Sequence, residues 1–229
     1  CDATGDQESP SIDGDRIVWQ DRRNGDWDIY MFTLSSGTPV VVPTPVPLVI
    51  TAPGTHSIAA DGYDGRETPI EIRSSNVVLD GGGHIIDGSN QPGTCGIRIS
   101  GPGLLSNVQV KNVRLVNWEM GICVDDCADT VIEASTIADN AIGVVLENAR
   151  NVQISGDQIT SNDIFGAWVR NSTGSVVREN DIRGTGEGFN HLLYSTMDLF
   201  THDVQVSGST GTAVTGNTLA GPNGGLALA

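Results

Sequence analysis

Aromatic side chains and lysine are both scarce in this sequence of 229 residues. Phe, Trp and Tyr make up 5% of the residues and Lys111 is the only lysine, whereas there are 29 glycines. This composition predicts a turn-rich, regular chain rather than a helical one. Acidic residues outnumber basic ones by 28 to 12, which gives a formal net charge of −16. Because such a surface repels a phosphate backbone, the charge argues against nucleic-acid binding.

Long apolar runs and helix-type periodicity are missing as well. No stretch of 18 apolar residues is present, which predicts that no segment spans a membrane. No signal peptide is recognisable at the start. Cys1 is either the first residue after processing or a fragment boundary, and the fragment interpretation is favoured.

A repeat of about 22 residues is the clearest positive signal. Leu115, Ile137, Ile159 and Ile182 recur at spacings of 22, 22 and 23, and glycines at positions 121, 143 and 166 keep nearly the same period. Each repeat carries two or three short apolar runs of strand character. Such a unit cannot bury its own apolar face, so the coils must stack into a solenoid. The sequence therefore predicts an all-β fold, a right-handed parallel β-helix with coils of about 22 residues.

Strand alternation assigns the second run of each coil to two faces. Ile97, Ile122, Val144, Ala167 and Leu226 are predicted to point inward, and so are Ile99, Val124, Leu146, Val169 and Leu228. The residues between them, Arg98, Cys123, Val145, Trp168 and Ala227, are predicted to point outward. Gly156, Asn180, Gly216 and Asn217 are expected at corners, where positive φ or side-chain capping is needed.

The first coils carry a more specific resemblance. The segment from Ile50 to Thr55, then Ile70-Glu71-Ile72, then Asn76 through Gly88 with its Asp80-Gly81-Gly82-Gly83-His84 core, resembles the opening of NosD-like β-helix proteins. Such proteins abound among the surface proteins of methanogenic archaea and belong to the broad pectin-lyase-like superfamily. The resemblance covers roughly residues 47–229 and implies an extracellular or cell-surface location, and the parallel β-helix itself is assigned to residues 49–229. It specifies function poorly, because this architecture serves many activities.

The N-terminal residues follow another pattern. Residues 1–37 are predicted to form a β-hairpin, with strands at Ile17–Gln20 and Asp28–Phe32 around a turn containing Asn24-Gly25. The hairpin resembles one blade of a TolB-like propeller. Residues 38–48 carry four prolines and are predicted to be an extended linker.

No complete catalytic set of a polygalacturonase-like hydrolase is present. The nearest fragment is Gly83-His84-Ile85, which shares the first coil with Asp80 and Asp87. The chain is therefore predicted not to be an enzyme, with polysaccharide-lyase activity as the second choice.

Acidic residues near a predicted turn suggest cation binding. Asp125, Asp126, Asp129 and Glu147 are expected to approach one another, whereas Arg150 and Arg170 are expected to lie outside their column. Carboxylates are Ca²⁺ ligands, so structural or adventitious Ca²⁺ binding is favoured over β-elimination. Otherwise no metal and no cofactor is predicted.

Four cysteines, Cys1, Cys95, Cys123 and Cys127, are candidates for disulfides. Cys123 can pair locally with Cys127, Cys95 can pair with either of them across coils, and Cys1 can pair with a neighbouring chain. The spacing does not choose among these alternatives.

Three outward features are candidates for contacts. Arg98, Val145 and Trp168 form a potential contact face for sugar stacking or for another subunit. An insertion at about 185–206 interrupts the repeat and should bulge from the solenoid. The sequon Asn171-Ser172-Thr173 is a glycosylation candidate.

The preferred function is a non-catalytic structural protein of the cell envelope, of the sheath, S-layer or adhesive type. The sequence stops at Leu226–Ala229 within a strand and without a polar cap, so either the chain is truncated or another subunit stacks on it. The predicted partners are other copies of the chain and cell-surface polysaccharide. The alternative function is a carbohydrate-binding or polysaccharide-cleaving module.

Overall fold

The computed structural model describes residues 7–13, 16–21, 28–33, 48–58, 60–61, 68–186, 201–221 and 225–229. The chain divides into two compact units, residues 1–44 and residues 45–229. The first unit is a three-stranded antiparallel sheet of β1 (Gln7–Asp13), β2 (Arg16–Asp21) and β3 (Asp28–Thr33). The predicted pair of strands is present as β2 and β3, and β1 is a third strand that the sequence reading missed. Cys1 and the Asn24-Gly25 turn lie outside the described residues.

The second unit is a parallel β-solenoid of about 7 turns, as predicted. Its strands form three parallel sheets that run along the solenoid. The eight-stranded sheet contains β4 (Leu48–Ile50), β6 (Ile70–Ile72), β9 (Cys95–Ile99), β12 (Met120–Asp125), β15 (Ile142–Glu147), β18 (Phe165–Arg170), β21 (His202–Ser207) and β24 (Leu226–Leu228). The seven-stranded sheet contains β5 (Gly54–Ser57), β7 (Val77–Asp80), β10 (Leu105–Lys111), β13 (Cys127–Glu133), β16 (Gln153–Ser155), β19 (Val176–Arg178) and β22 (Ala213–Thr215). The six-stranded sheet contains β8 (Ile85–Asp87), β11 (Arg114–Val116), β14 (Thr136–Ala138), β17 (Gln158–Thr160), β20 (Asp181–Arg183) and β23 (Thr218–Ala220).

The register of the six-stranded sheet confirms the predicted repeat. Leu115, Ile137, Ile159 and Ile182 pair in succession, and Leu219 continues the column. The first four are completely buried. A fixed pairing of this kind lets each coil bury its apolar side chains against the next.

Both predicted inward columns of the eight-stranded sheet are present. Val204 and Val206 of β21 extend them between β18 and β24. The predicted insertion was therefore drawn too long, since residues 202–207 form a regular strand. Residues 187–200 lie outside the described residues. Leu226 and Leu228 continue the columns but are 45% and 75% exposed.

Glycine is required where the chain enters the eight-stranded sheet. A Cβ on Gly143 would lie 2.4 Å from the carbonyl oxygen of Gly166 and 2.8 Å from Cγ2 of Ile159. Gly121 and Gly166 have equally close neighbours. The glycines of the repeat therefore let the backbone approach the corner closely.

Polar side chains fill the interior of the corners. Ser135, Asp157, Asn180 and Asn217 form a ladder between the seven- and six-stranded sheets, in which each backbone N–H donates to the side-chain oxygen of the next residue at 2.8–2.9 Å. Asn140 and Asn162 form a second ladder before the eight-stranded sheet. These ladders satisfy backbone groups that the turns leave without sheet partners. Gly156 and Gly216 adopt positive φ at the corners, as predicted.

Among the described residues, no helix is long and apolar enough to cross a membrane.

Candidate functional site

An open groove of about 570 Å³ lies at the corner between the seven- and six-stranded sheets, in the early coils. Volumes of this order are typical of small-ligand sites. The lining combines charged, amide, hydroxyl and small apolar side chains: Asp80, Gly82, Gly83, Asn112, Val113, Arg114, Ala134 and Thr136.

Asp80 is held at one side of this groove by its neighbours. Its Oδ1 accepts hydrogen bonds from Nδ2 of Asn112 and from the N–H of Gly82, both at 3.0 Å. Nζ of Lys111 lies 3.6 Å from Oδ2. The hydrogen bond from Asn112 is the largest cause that lowers the pKa of Asp80 below its usual range. Asp80 is therefore ionised at neutral pH, and its hydrogen bonds hold its carboxylate in one position.

A second carboxylate orients the imidazole of His84 beside the groove. Oδ1 of Asp61 lies 2.9 Å from Nδ1 of His84 and accepts a hydrogen bond from the N–H of Ile85, also at 2.9 Å. The hydrogen bond from Ile85 is the main cause that lowers the pKa of Asp61. The charged carboxylate favours the tautomer with a proton on Nδ1. In the neutral imidazole, Nε2 is then left as an acceptor.

Positive φ at Gly82 and Gly83 shapes the turn that brings His84 to the groove. Their φ angles are 59° and 78°, a conformation that glycine adopts without a steric penalty. The Cβ position of Gly82 is 3.9 Å from Nε2 of His84, which places this nitrogen next to a lining residue. The glycine run of the sequence therefore positions a potential base.

Arg114 is an exposed cation in the same groove. It lies at the start of β11, in register with Ile85 of β8, and it lowers the pKa of Asp61 through its charge. Within the part of the chain that the structure describes, its guanidinium forms no ion pair. Since a guanidinium presents a planar set of donors, Arg114 can bind an oxyanion or several hydroxyls.

Sequence reasoning identified Asp80 and His84 but missed Asp61, Lys111 and Arg114. The pairing of Leu79 with Val110 places Lys111 directly beside Asp80. That pairing was visible in the aligned coils, so Lys111 could have been found. Asp61 comes from a loop outside the repeat, and no sequence signal pointed to it.

The predicted cation-binding residues do not form a compact ligand set. Glu147 is bound to Arg170 by an ion pair and accepts a hydrogen bond from Nδ2 of Asn171 at 2.9 Å. Asp125 pairs in register with Glu147, while Oδ1 of Asp129 accepts a hydrogen bond from Asn151. In the described ranges, no group of three or more carboxylate, histidine or cysteine side chains is placed to hold a metal ion. Ca²⁺ binding by Asp125, Asp126, Asp129 and Glu147 stays a prediction.

The expected position of Arg170 was wrong. Arg170 pairs directly with Glu147 between β18 and β15, so it belongs to the same column. Its charge is neutralised by the carboxylate there.

One of the alternative disulfides is present. Cys95 of β9 is bonded to Cys123 of β12, across neighbouring coils. Cys127 is a free, buried cysteine, and burial raises the pKa of its thiol to about 12. Its thiol is therefore kept in the unreactive protonated form.

Arg98, Val145 and Trp168 lie in one outward column of the eight-stranded sheet, as expected. Val145 is only 6% exposed, because it packs in a cluster with Phe165 and the half-buried Trp168. The guanidinium carbon of Arg170 lies 4.6 Å from the centroid of the Trp168 ring. The accessible part of this face is therefore smaller than the sequence suggested, and a contact there stays a prediction.

Asn171 is exposed in a turn, with a φ of 50°. Its Nδ2 donates to Glu147. Glycosylation at Asn171 stays a prediction.

These features define a parallel β-solenoid with a polar groove at one corner. Residues 95–228 match the family described as "Right handed beta helix region". The chain belongs to this right-handed β-helix family. No sequence among the curated proteins matches the chain significantly.

Solved structures share the fold at low sequence identity. DFA-IIIase from Arthrobacter chlorophenolicus, in complex with DFA-III, is 17% identical, with a TM-score of 0.53 over 70% of this chain and 38% of that protein. Tailspike protein 2 of an Escherichia coli bacteriophage is 12% identical, with a TM-score of 0.57 over 80% of this chain and 30% of that protein. The chain thus spans about a third of the length of these proteins.

The prediction that the chain is not an enzyme is corrected by this comparison. DFA-IIIase has the same fold and is an enzyme. The missing polygalacturonase-like residues were therefore insufficient grounds to exclude catalysis, because one β-helix can support different catalytic sets.

Proposed function

We propose that the chain is a carbohydrate-binding module of a polysaccharide-active β-helix protein, and that its ligand binds in the groove around Asp80 and Arg114. The observation that carries this proposal is Arg114, which lines the groove close to the oriented Asp61–His84 pair and forms no ion pair with any residue that the structure describes. Sugars present many hydroxyl groups, and acidic sugars add carboxylates. Arg114, Asn112 and Thr136 offer hydrogen-bond donors for both.

The net charge of the chain makes Arg114 more informative. In this protein of charge −16, Arg73, Arg170, Arg178 and Arg183 form ion pairs with carboxylates. Arg98, Arg114 and Arg150 form none with a described residue, and of these three only Arg114 lines the groove. The guanidinium of a groove arginine that forms no ion pair within the protein can bind an anionic group of a ligand. This arrangement favours a carbohydrate ligand whose hydroxyl or carboxylate groups bind to Arg114.

The Asp61–His84 pair, which lies beside the groove, supports a catalytic role for this site. A carboxylate that holds Nδ1 leaves Nε2 to abstract a proton from a bound substrate. Asp61 would then orient the imidazole and stabilise its charged form. Proton abstraction by His84, with Arg114 binding the substrate, is the chemistry that the site can perform.

The test combines a polysaccharide binding screen with activity assays on wild-type protein and three variants. Arg114→Gln should weaken binding by about 10-fold or more, the loss expected for one charge-assisted hydrogen bond. His84→Gln should leave affinity within about 3-fold but lower turnover by about 100-fold. Arg183→Gln is the matched control, because Arg183 is an exposed arginine of the same sheet, far along the solenoid and paired with Asp181.

Two outcomes would overturn the proposal. One is the absence of binding to every polysaccharide of a panel that includes neutral and uronate-containing polymers. The other is an equal loss of binding in Arg183→Gln and Arg114→Gln, which would mean that only overall charge matters.

Finer predictions from the sequence stand beside this proposal. They are the NosD-like relationship, the TolB-like blade in residues 1–37, the extracellular location and self-assembly with other copies. The chemistry of the groove supports none of them directly, and polysaccharide is the partner that it favours.

A further inference from the structure

A buried carboxylate, that of Asp203, occupies a position that is glycine in five other coils, at Gly96, Gly121, Gly143, Gly166 and Gly225. Asp203 follows Gly166 in the column of glycines at the entrance to the eight-stranded sheet, since its carbonyl oxygen lies 2.6 Å from the Cβ position of Gly166. A Cβ at Gly166 would point toward Ile182, into the interior of the corner. The side chain of Asp203 is directed into this interior and is completely buried.

Three buried side-chain oxygens at this corner have no hydrogen-bond partner. They are Oδ1 of Asp203, Oγ1 of Thr185 and Oγ1 of Thr201. Thr185 and Asp203 are 0% exposed and Thr201 is 3% exposed. Only Oδ2 of Asp203 is satisfied, by the N–H of Gly225 at 3.1 Å. Buried polar atoms without partners are rare in native proteins, and each requires an explanation.

The three oxygens belong to one small region. Gly221 touches two of the residues, since its Cβ position lies 3.3 Å from Oδ1 of Asp203 and 3.2 Å from the carbonyl oxygen of Thr185. The side chain of Thr185 is close enough to the carboxylate of Asp203 to lower its pKa, although no hydrogen bond of normal geometry joins the two. The Cβ position of Gly186 is 2.7 Å from Oγ1 of Thr201. The cluster therefore contains one carboxylate oxygen, two hydroxyl oxygens and a nearby carbonyl.

Thr185 also departs from the polar ladder of its corner. Asn140 and Asn162 donate their Nδ2 hydrogens to the carbonyls of Leu115 and Ile137. Thr185 follows Asn162 in this corner, because the N–H of Gly186 donates to the carbonyl of Asn162. A threonine has no amide to continue these bonds. Threonine at this position therefore offers a hydroxyl oxygen instead of an amide nitrogen donor, in the same corner that contains the carboxylate of Asp203.

Burial of the carboxylate must be compensated. Desolvation raises the pKa of Asp203, which reflects the cost of a negative charge in this corner. Either a proton or a cation can remove that cost. Carboxylate, hydroxyl and carbonyl oxygens, all of which are present at this corner, are the ligands that hard cations prefer.

We propose that Asp203, Thr185 and Thr201 bind a hard metal cation, with Ca²⁺ as the main candidate, inside the corner of the solenoid. Thr185 precedes residues 187–200 in the sequence and Thr201 follows them, so the cation links two described parts of the solenoid that are distant in sequence. The site is separate from the four acidic residues at 125–147 and does not depend on the groove.

The experiment measures thermal unfolding and metal stoichiometry of the whole chain at pH 7.5. The protein is first treated with a chelator and then titrated with Ca²⁺, with Mg²⁺ and Na⁺ as separate arms. All arms contain about 0.15 M KCl, which screens non-specific cation binding by the acidic surface. The wild type is expected to bind one Ca²⁺ and to show a Tm that rises with Ca²⁺ concentration, as ligand binding to the native state requires.

Two variants remove ligands and one serves as control. Asp203→Gly restores the glycine of the other coils and should abolish the dependence of Tm on Ca²⁺. Thr185→Val keeps the side-chain volume but lacks the hydroxyl, so it should fold and require at least about 10-fold more Ca²⁺ for the same shift, a loss of about 1.4 kcal/mol in binding. Asp181→Asn removes a part-exposed carboxylate of β20 and should respond to Ca²⁺ as the wild type does.

The results separate a cation from a proton. A response to Na⁺ alone would overturn the assignment to Ca²⁺ and identify a monovalent site. A wild-type Tm that is insensitive to all three cations at pH 7.5 but rises on acidification, and does so only when Asp203 is present, would overturn the proposal in favour of a protonated carboxyl. An equal Ca²⁺ response in wild type and both ligand variants would place the ion elsewhere.

Discussion

Asp157 should make the stability of the solenoid depend on pH around neutrality. Its carboxyl lies in the ladder between the seven- and six-stranded sheets, is 1% exposed and has an Oδ2 without a hydrogen-bond partner. Asn180 and Asn217, the next residues of this ladder, donate Nδ2 hydrogens to the carbonyls of Ile154 and Val177. An ionised carboxylate cannot make the equivalent bond to the carbonyl of Ile132, whereas a protonated one can.

The direction and size of the effect follow from the pKa. Desolvation raises the pKa of Asp157 from 3.8 to about 7. Because the folded state binds the proton more tightly, this contribution is fully present below the unfolded pKa of 3.8 and is lost as pH rises through about 7. A difference of about 3 pKa units corresponds to an upper limit of ~4 kcal/mol, at 1.36 kcal/mol per unit.

The test is the variant Asp157→Asn, compared with wild type by urea unfolding between pH 5 and pH 8.5. Asparagine can make the amide hydrogen bond at every pH. Because roughly 1.5 kcal/mol of the contribution of Asp157 is already lost at pH 5, the stability of the variant relative to the wild type should increase by roughly a further 2–3 kcal/mol between pH 5 and pH 8.5. Asp163 and Asp203 also have pKa values that burial raises. Their contributions cancel when the free energies of unfolding of the two proteins are subtracted at each pH. Asp181→Asn is the control and should leave the pH dependence unchanged, since Asp181 is partly exposed. A variant that is less stable than wild type at pH 8.5 would refute the reasoning.

Two further predictions concern covalent and steric constraints on the stacked coils. Replacing Cys95 and Cys123 together by alanine should lower the free energy of unfolding by roughly 3–4 kcal/mol, the entropy of closing a loop of this length, as measured by urea unfolding of the oxidised wild type and the variant. An unchanged free energy of unfolding in the double variant would contradict the expectation that the Cys95–Cys123 disulfide restricts the unfolded chain. Gly143→Ala should destabilise by more than about 2 kcal/mol or prevent folding, because its Cβ would overlap a carbonyl of the next coil. Gly103→Ala is the matched control, since no atom lies within 4 Å of its Cβ position, and equal losses in both variants would contradict the steric argument.

The repeat made most of the solenoid predictable. A coil period shared by Leu115, Ile137 and Ile159 fixes which residues stack, because parallel strands in successive coils must pair in the same register. Strand alternation then separates inward from outward side chains. The prediction failed where the period was interrupted, and β21 was for this reason assigned to the insertion.

The groove was predictable only in part. Asp80 and Lys111 follow from the aligned coils, but Asp61 reaches His84 from a loop that has no place in the repeat. Which residues cover Val145 could not be predicted for a related reason. Alternation determines the direction of a side chain, whereas coverage depends on neighbours such as Phe165 in the next coil.

The sequence by itself determined the class of fold, the stacking columns and the glycines of the corners, because these depend on a period that a single chain displays directly. Only the tertiary structure decided which cysteines pair, that Arg114 forms no ion pair with a described carboxylate, and that Asp203, Thr185 and Thr201 each keep a buried side-chain oxygen without a hydrogen-bond partner. These features depend on distances between different coils and loops. The order of residues limits such distances but does not fix them, since loops of unequal length separate the residues that finally meet.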